Sequence, residues 1–271
     1  MMGAGKKAEG EEDVYKMKFE LLSKKGEKMS FLLKGTTPAY SNALRRIMLT
    51  EVPVMAIEYV EIKKNSSAMY DEILAHRLGL VALTTDLKSY ELPKSQEDID
   101  GRKATCTLEL TLKAKGPNTV YASDFKSKDP KVKPVFPKTL IVKLLKDQEI
   151  ELSAVAILGK GETHAKWSPG HVWYTYNFNL KVNNTGIEKY KDIYPPQVFD
   201  KKGNIDKELI IKHNLVDAVA SLNEEIVKVE YKEYEHIFQL ESWGQLDPKE
   251  IVEQSLSIFN DKLDEIDKLM K

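Results

Sequence analysis

The chain has 271 residues, of which 42% are hydrophobic and 31% charged, enough to bury a core in one large domain or two to three small ones and to exclude wholesale disorder. The 41 basic side chains almost cancel the 42 acidic ones, leaving a formal net charge of −1, so a generic nucleic-acid coat with a basic excess is excluded. A lone cysteine excludes an intrachain disulfide and, with it, a secreted disulfide-built domain.

Residues 1–13, MMGAGKKAEGEED, contain no apolar targeting core and are expected to form a disordered, solvated lead-in. Met17, Phe19 and Leu21 alternate with polar residues, Lys24 to Glu27 supply a glycine-containing turn, and Met29, Phe31 and Leu33 alternate again. That pattern predicts a β-hairpin with one buried face. Gly35 to Pro38 breaks it. From Ala39 to Leu49 the period changes, with Tyr40, Leu44 and Ile47 on one helical stripe, and Pro53 ends the helix. Met55 to Ile62 reads as a strand. Ser66 and Ser67 are candidate N-caps for a helix through Asp71 to Leu78, with Gly79 as terminator.

Ala104 to Lys115 alternates strictly and predicts a strand in which Cys106 is a small, half-buried residue rather than a nucleophile. Leu140 to Leu145, Ile150 to Ala156 and Trp173 to Val182 give further strands, joined by proline-rich connectors such as Lys128 to Pro137. The middle of the chain is therefore mostly β. Near the end, Asp247-Pro248-Lys249-Glu250 supplies an N-cap, a first-turn proline and a glutamate at N3. Val252, Leu256, Phe259, Leu263, Ile266 and Met270 follow at spacings of 4, 3, 4, 3 and 4, a heptad-like seam that predicts a partner helix. No stretch approaches the ~20 apolar residues of a membrane span, so an intracellular, cytoplasmic protein without membrane contact is expected.

Several residues have chemistry that needs weighing. Arg45 and Arg46 are adjacent on a helix and point ~100° apart. On the residues alone they are either solvated charges or guanidinium groups that grip carboxylates across an interface. Asn42 on the same helix could bond backbone across a joint or simply be exposed. Glu72 and His76 are spaced to share a helix face, but no second histidine or cysteine completes a metal set; with Asp71 and Arg77 they suit polar contact to a partner. Gly159-Lys160-Gly161 lacks the spacing and context of a phosphate loop. His164 and His171, seven residues apart on a loop, could in principle bind metal, but no further ligands accompany them to complete a site. Trp167 and Trp173 either pack internally or, beside Lys166 and His164, anchor an interface.

Three long strings occur in order: NALRRIMLTEVPVMAIEYVEI from Asn42 to Ile62, DEILAHRLGLVAL from Asp71 to Leu83, and GKGETHAKWSPG from Gly159 to Gly170. Together they resemble the assembly core of the alpha-like subunits of multisubunit RNA polymerase. The first is similar to the helix by which bacterial alpha subunits dimerise. The other two resemble the larger archaeal alpha-like subunit and the third-largest subunit of eukaryotic polymerase II. This resemblance implies an α+β fold. An assembly (dimerisation) domain would come from residues 14–50 and 229–271, interrupted by a β-rich insert at 51–182 and a cysteine-less ferredoxin-like subdomain at 183–228.

The implied function is that of a non-catalytic assembly subunit. It would pair with the smaller subunit L, join subunits N and P, and carry the two large catalytic subunits, with little or no nucleic-acid contact. The implied interface residues are Asn42, Arg45, Arg46, His76, Arg77, His164, Lys166 and Trp167. The implied dimer seam is Leu44, Val252, Leu256, Phe259, Leu263 and Ile266. Ferredoxin-like inserts of this family hold iron–sulfur clusters on cysteines in C-x₂-C-x₂-C-x₃-C runs. Here Lys212, Leu215, Ala218 and Leu222 stand at that spacing, and Tyr194 stands where a cysteine would precede proline. No cluster is expected, and packing of Leu215, Ala218 and Leu222 is expected in its place. The alternatives are a eukaryotic-type alpha-like subunit, which would carry a zinc-binding cysteine cluster, and a nucleic-acid-binding protein, which would need a concentrated basic face. An enzyme would need a convergent nucleophile and base or a metal set.

Overall fold

The computed structural model describes residues 16–271; the expected lead-in at 1–13 lies outside them. Two strands come first, β1 (Lys18–Lys25) and β2 (Lys28–Lys34), joined through Gly26 at φ +55°, a left-handed conformation that suits glycine. The hairpin is where the alternation puts it, but its burial differs from expectation. Every residue of β1 is exposed, whereas Met29 to Leu33 are all buried. The reason is position in the sheet. Its order is β1-β2-β10-β9, so β1 is the edge and β2 an inner strand with a neighbour on either side, and the five consecutive buried residues of β2 show that both its faces are covered.

Helix α1 (Pro38–Thr50) follows and buries Ser41, Leu44, Ile47 and Met48. Strand β3 (Val54–Asn65) then leads to α2 (Asp71–Gly79). The residue ahead of α2 is Tyr70, which makes no side-chain cap. Ser66 and Ser67 are not its caps, because a cap must sit directly before the first turn. Both are engaged in the turn after β3. Ser66 Oγ accepts from Glu149 N at 2.7 Å, and Ser67 Oγ donates to Asn65 Oδ1 at 2.6 Å.

Next come α3 (Gln96–Asp100), β4 (Thr107–Lys115), β5 (Asn118–Tyr121), β6 (Lys126–Ser127), β7 (Leu140–Leu144), β8 (Glu149–Gly159) and β9 (Gly170–Val182). A second sheet has the order β3-β8-β4-β6, with β8 antiparallel to both β3 and β4; β5 and β7 form an antiparallel pair. As an inner strand covered on both sides, β8 is buried at every residue from Leu152 to Leu158, which explains its continuous apolar run. Met55, Ile57, Leu74, Leu78, Leu110 and Leu152 belong to the core of this region. Cys106 is fully buried rather than half-buried.

The remaining elements are α4 (Lys207–Lys212), α5 (Val216–Ala220), β10 (Val227–Ser242) and α6 (Pro248–Leu269). Residues 183–228 have a core of their own, built on Ile187, Tyr194, Val198, Ile205, Ile210, Val216, Val219 and Ile226. The expected packing trio needs correction here. Leu215 and Leu222 only flank this core and Ala218 is exposed, because α5 turns Val216 and Val219 inward instead. Tyr194 is buried and donates its hydroxyl to Asn223 O at 3.3 Å.

At the start of α6 the expected capping box is present. Lys249 N donates to Asp247 Oδ1 at 2.8 Å, and Asp247 N donates to Glu250 Oε2 at 3.2 Å. The molecule is thus mixed α/β with antiparallel sheets, and no helix among the described residues is long and apolar enough to cross a membrane. Two compact units are distinguished. Among the described residues, one takes 16–20, Leu32–Pro38 and Thr175–Ile237; the other takes Leu21–Phe31, Ala39–Tyr174 and Phe238–Lys271. Helices α2 and α6, and α1 from Ala39 onward, belong to the second.

Candidate assembly interface

On α1, the two arginines differ. Arg45 donates from Nε and Nη2 to Asn42 Oδ1, at 3.2 and 2.9 Å, so its guanidinium lies back along its own helix. Arg46 and Asn42 are exposed, whereas Arg45 is half-buried. The Asn42–Arg45 contact orients one planar donor group and leaves its remaining N–H groups for an acceptor outside the helix.

The end of α1 is joined to the segment after β8. Glu162 N donates to Thr50 O at 3.0 Å, and a Cβ at Gly161 would lie 2.3 Å from Leu49 O. Only glycine lets these backbones approach so closely. Glu51, the next residue after α1, accepts from Lys160 Nζ at 3.0 Å and from Lys262 Nζ at 2.7 Å. The hydrogen bond from Lys262, assisted by Lys160, holds the Glu51 carboxyl below the ordinary carboxylate range.

The same loop carries three of the residues implied as interface. His164 caps a short helical turn at Ala165–Trp167, its Nδ1 accepting from Lys166 N at 3.0 Å. Lys166 reaches Ile57 O at 3.0 Å and Glu58 at 2.5 Å, with Nζ 4.3 Å from the Trp167 ring centroid. This combines a hydrogen bond, an ion pair and a cation–π contact on one ammonium. Trp167 is buried; it packs on Gly159, where a Cβ would fall 2.3 Å from the ring. Its ring braces the loop from within, and Trp173 is the more exposed of the two indoles, tilted against His171 with centroids 5.1 Å apart.

Arg77 donates from Nη1 to Ile141 O at 3.0 Å, while His76 is exposed on the same helix. Just beyond α2, Leu80, Val81, Phe136, Lys166, Trp243 and Gln245 help line an open groove of about 330 Å³. The fold therefore brings Lys166 to the end of α2. Gln245 is buried and ties this region to β3, its Nε2 donating to Met55 O at 3.3 Å, while its backbone carbonyl accepts from Thr85 N at 2.9 Å.

Along α6 the seam splits. Val252 is buried, Phe259 is half-buried and packs edge-on against Tyr40 with centroids 5.3 Å apart, and Leu44 on α1 is buried. These three serve the core of their own unit. Leu256, Leu263 and Ile266 are 37%, 49% and 53% exposed, and Met270 beyond them is 82% exposed. Sequence reasoning missed Glu51, Lys160 and Lys262 because nothing in a single chain pairs residues 109 and 211 positions apart.

Residues 60–171 match the family model of the RNA polymerase Rpb3/RpoA insert domain, and the class this match defines is that of the alpha-like polymerase subunits. The chain is 37% identical over 257 residues to DNA-directed RNA polymerase subunit Rpo3 of Pyrococcus furiosus, covering 90% of this chain and 94% of the relative. It is 36% identical to Rpo3 of Methanothermobacter thermautotrophicus, covering 92% and 97%, and 34% identical to that of Pyrobaculum aerophilum, covering 85% and 87%. The chain belongs to the Rpo3 family of archaeal DNA-directed RNA polymerase subunits.

Proposed function

We propose that this chain is the non-catalytic assembly subunit of a DNA-dependent RNA polymerase. It pairs with the smaller alpha-like subunit L, joins subunits N and P, and forms the platform on which the two large catalytic subunits assemble in the cytoplasm. The observation that carries this reading is the outer stripe of α6, where Leu256, Leu263, Ile266, Leu269 and Met270 stand exposed at helical spacing. A row of apolar side chains of that kind is a partner-helix face. The second face of the platform consists of Arg46, His76, Arg77, His164 and Lys166. Contact with nucleic acid is little or none, in keeping with the balanced charge.

The subunit carries no iron–sulfur cluster. Its one thiol, Cys106, sits just ahead of β4, and the core of residues 183–228 is filled by aliphatic side chains and Tyr194. Protein purified without oxygen is expected to lack stoichiometric iron and sulfide, and a visible absorption that bleaches on reduction would contradict this. The functional reading is tested by expressing the chain alone and with an L-like subunit. Expressed alone it should self-associate; co-expressed it should purify as a one-to-one pair that then recruits a catalytic subunit. A clean monomer by light scattering, indifferent to added L, would overturn the proposal.

A further inference from the structure

We infer that Glu51 is a clasp between α6 and the loop at 159–168, through which pairing on α6 sets that loop for a second partner. The inference rests on the proposal above that α6 bears the pairing face.

The Glu51 carboxylate has two oxygens and two cationic partners. Oε1 accepts from Lys262 Nζ at 2.7 Å and Oε2 from Lys160 Nζ at 3.0 Å. Its side chain is 12% exposed, against 37% for Lys160 and 47% for Lys262. One negative charge is therefore shared by two ammonium groups that would otherwise repel each other. The two lysines come from different places. Lys160 opens the loop that carries His164 and Lys166. Lys262 lies on α6 directly before Leu263, three residues after Phe259 and four before Ile266, the spacings at which helical side chains are neighbours.

A partner helix that covers the exposed Leu263 and Ile266 also removes water from around Lys262. Loss of water lowers the local dielectric and strengthens the bond from Lys262 to Glu51. A carboxylate immobilised on Lys262 offers its other oxygen to Lys160 as a fixed acceptor, with less side-chain freedom left to lose on that side. The loop already rests on the end of α1 through Glu162 N and Thr50 O and through the close approach of Gly161 to Leu49 O. Pinning Lys160 adds a side-chain tie at the loop's start. Glu51 thus acts as a positioning residue, joining the pairing face to the loop of the second face.

The test is hydrogen–deuterium exchange on the full chain paired with L, with the pairing-defective Leu263→Asp chain as the unpaired reference. The amides of Glu162 and Thr163 should exchange at least ~5-fold more slowly in the wild-type pair, the lower end of typical coupling between sites. In Glu51→Gln and Lys160→Met pairs, formed with L in excess of its Kd, that extra protection should be lost and Kd for L should rise by the same factor of ~5 or more, since coupling between sites is reciprocal. If Glu51→Gln fails to fold, Lys160→Met, which keeps the Glu51–Lys262 bond, gives the same readout. Equal protection in the variant pairs, or none in a wild-type pair that demonstrably forms, overturns the clasp alone. A wild-type chain that does not pair with L overturns the pairing proposal and the clasp together.

Discussion

Lys24 Nζ donates to both carboxylate oxygens of Asp247 at 2.8 Å, a contact that spans 223 residues and ties the opening hairpin to the cap of the last helix. Asp247 thus does two things, accepting from Lys249 N as the N-cap and from Lys24 as a partner in the same unit. Asp247→Ala is expected to destabilise the fold by about 1–2 kcal/mol, mostly through the lost cap, because an exposed ion pair adds little. Asp247→Asn keeps an acceptor oxygen and should restore most of that loss. Thermal unfolding of the two variants side by side separates cap from ion pair; equal destabilisation by both would make the ion pair dominant.

Leu263→Asp and Phe259→Asp should behave differently, although both lie on the seam. Leu263 is half exposed, so an aspartate there changes stability by no more than about 0.5 kcal/mol in the unpaired chain. It should abolish co-purification with L, because pairing would bury an unpaired carboxylate. Phe259 packs on Tyr40, so its aspartate variant should also lose about 3–5 kcal/mol of fold stability. Circular dichroism melts and a pull-down distinguish the two. Unchanged pairing of Leu263→Asp would assign the stripe to another role.

Arg46→Ala should leave the pair with L intact and weaken recruitment of a catalytic subunit by about 2–5 kcal/mol, since truncation leaves the partner group without its counter-charge. Arg45→Ala should have a smaller effect, because Arg45 is already engaged with Asn42 on its own helix. Reconstitution in stages reads the step at which assembly stops. Complete assembly followed by slow nucleotide addition would point to an influence on catalysis instead.

Tyr90 supplies a pH dependence. Burial, and then the hydrogen bond its hydroxyl donates to Asp129 Oδ2 at 3.0 Å, push its pKa up to about 12. A folded-state pKa above the unfolded value of ~10 means that this stabilisation is whole below pH ~10 and is lost as pH rises toward ~12, at most roughly 3 kcal/mol. Tyrosinate absorbance should show one residue titrating late, and Tyr90→Phe should remove it and flatten the alkaline loss of stability. A variant with the same alkaline profile as wild type would show that Tyr90 ionises freely.

The features legible in the chain are those that are local or patterned. The α6 cap could be read because its donors and acceptors lie within three residues of one another, and α1 because Leu44 and Ile47 repeat at helical spacing. The three strings from Asn42, Asp71 and Gly159 were enough to indicate the family. Packing over long separations settled everything else. Alternation marks a strand but not its neighbours, so only sheet order makes β2 inner and β1 an edge, and the charged residues scattered along β10 hide its strand pattern. Helical spacing named Leu215, Ala218 and Leu222 as the packing set, but the phase of α5 chose Val216 and Val219. The seam on α6 was readable as a repeat, yet its division into a buried beginning and an exposed end depended on where Tyr40 lay. Glu51 was the least readable of all. Its two lysines lie 109 and 211 residues away, and only the folded path of the chain brings both ammonium groups onto a single carboxylate.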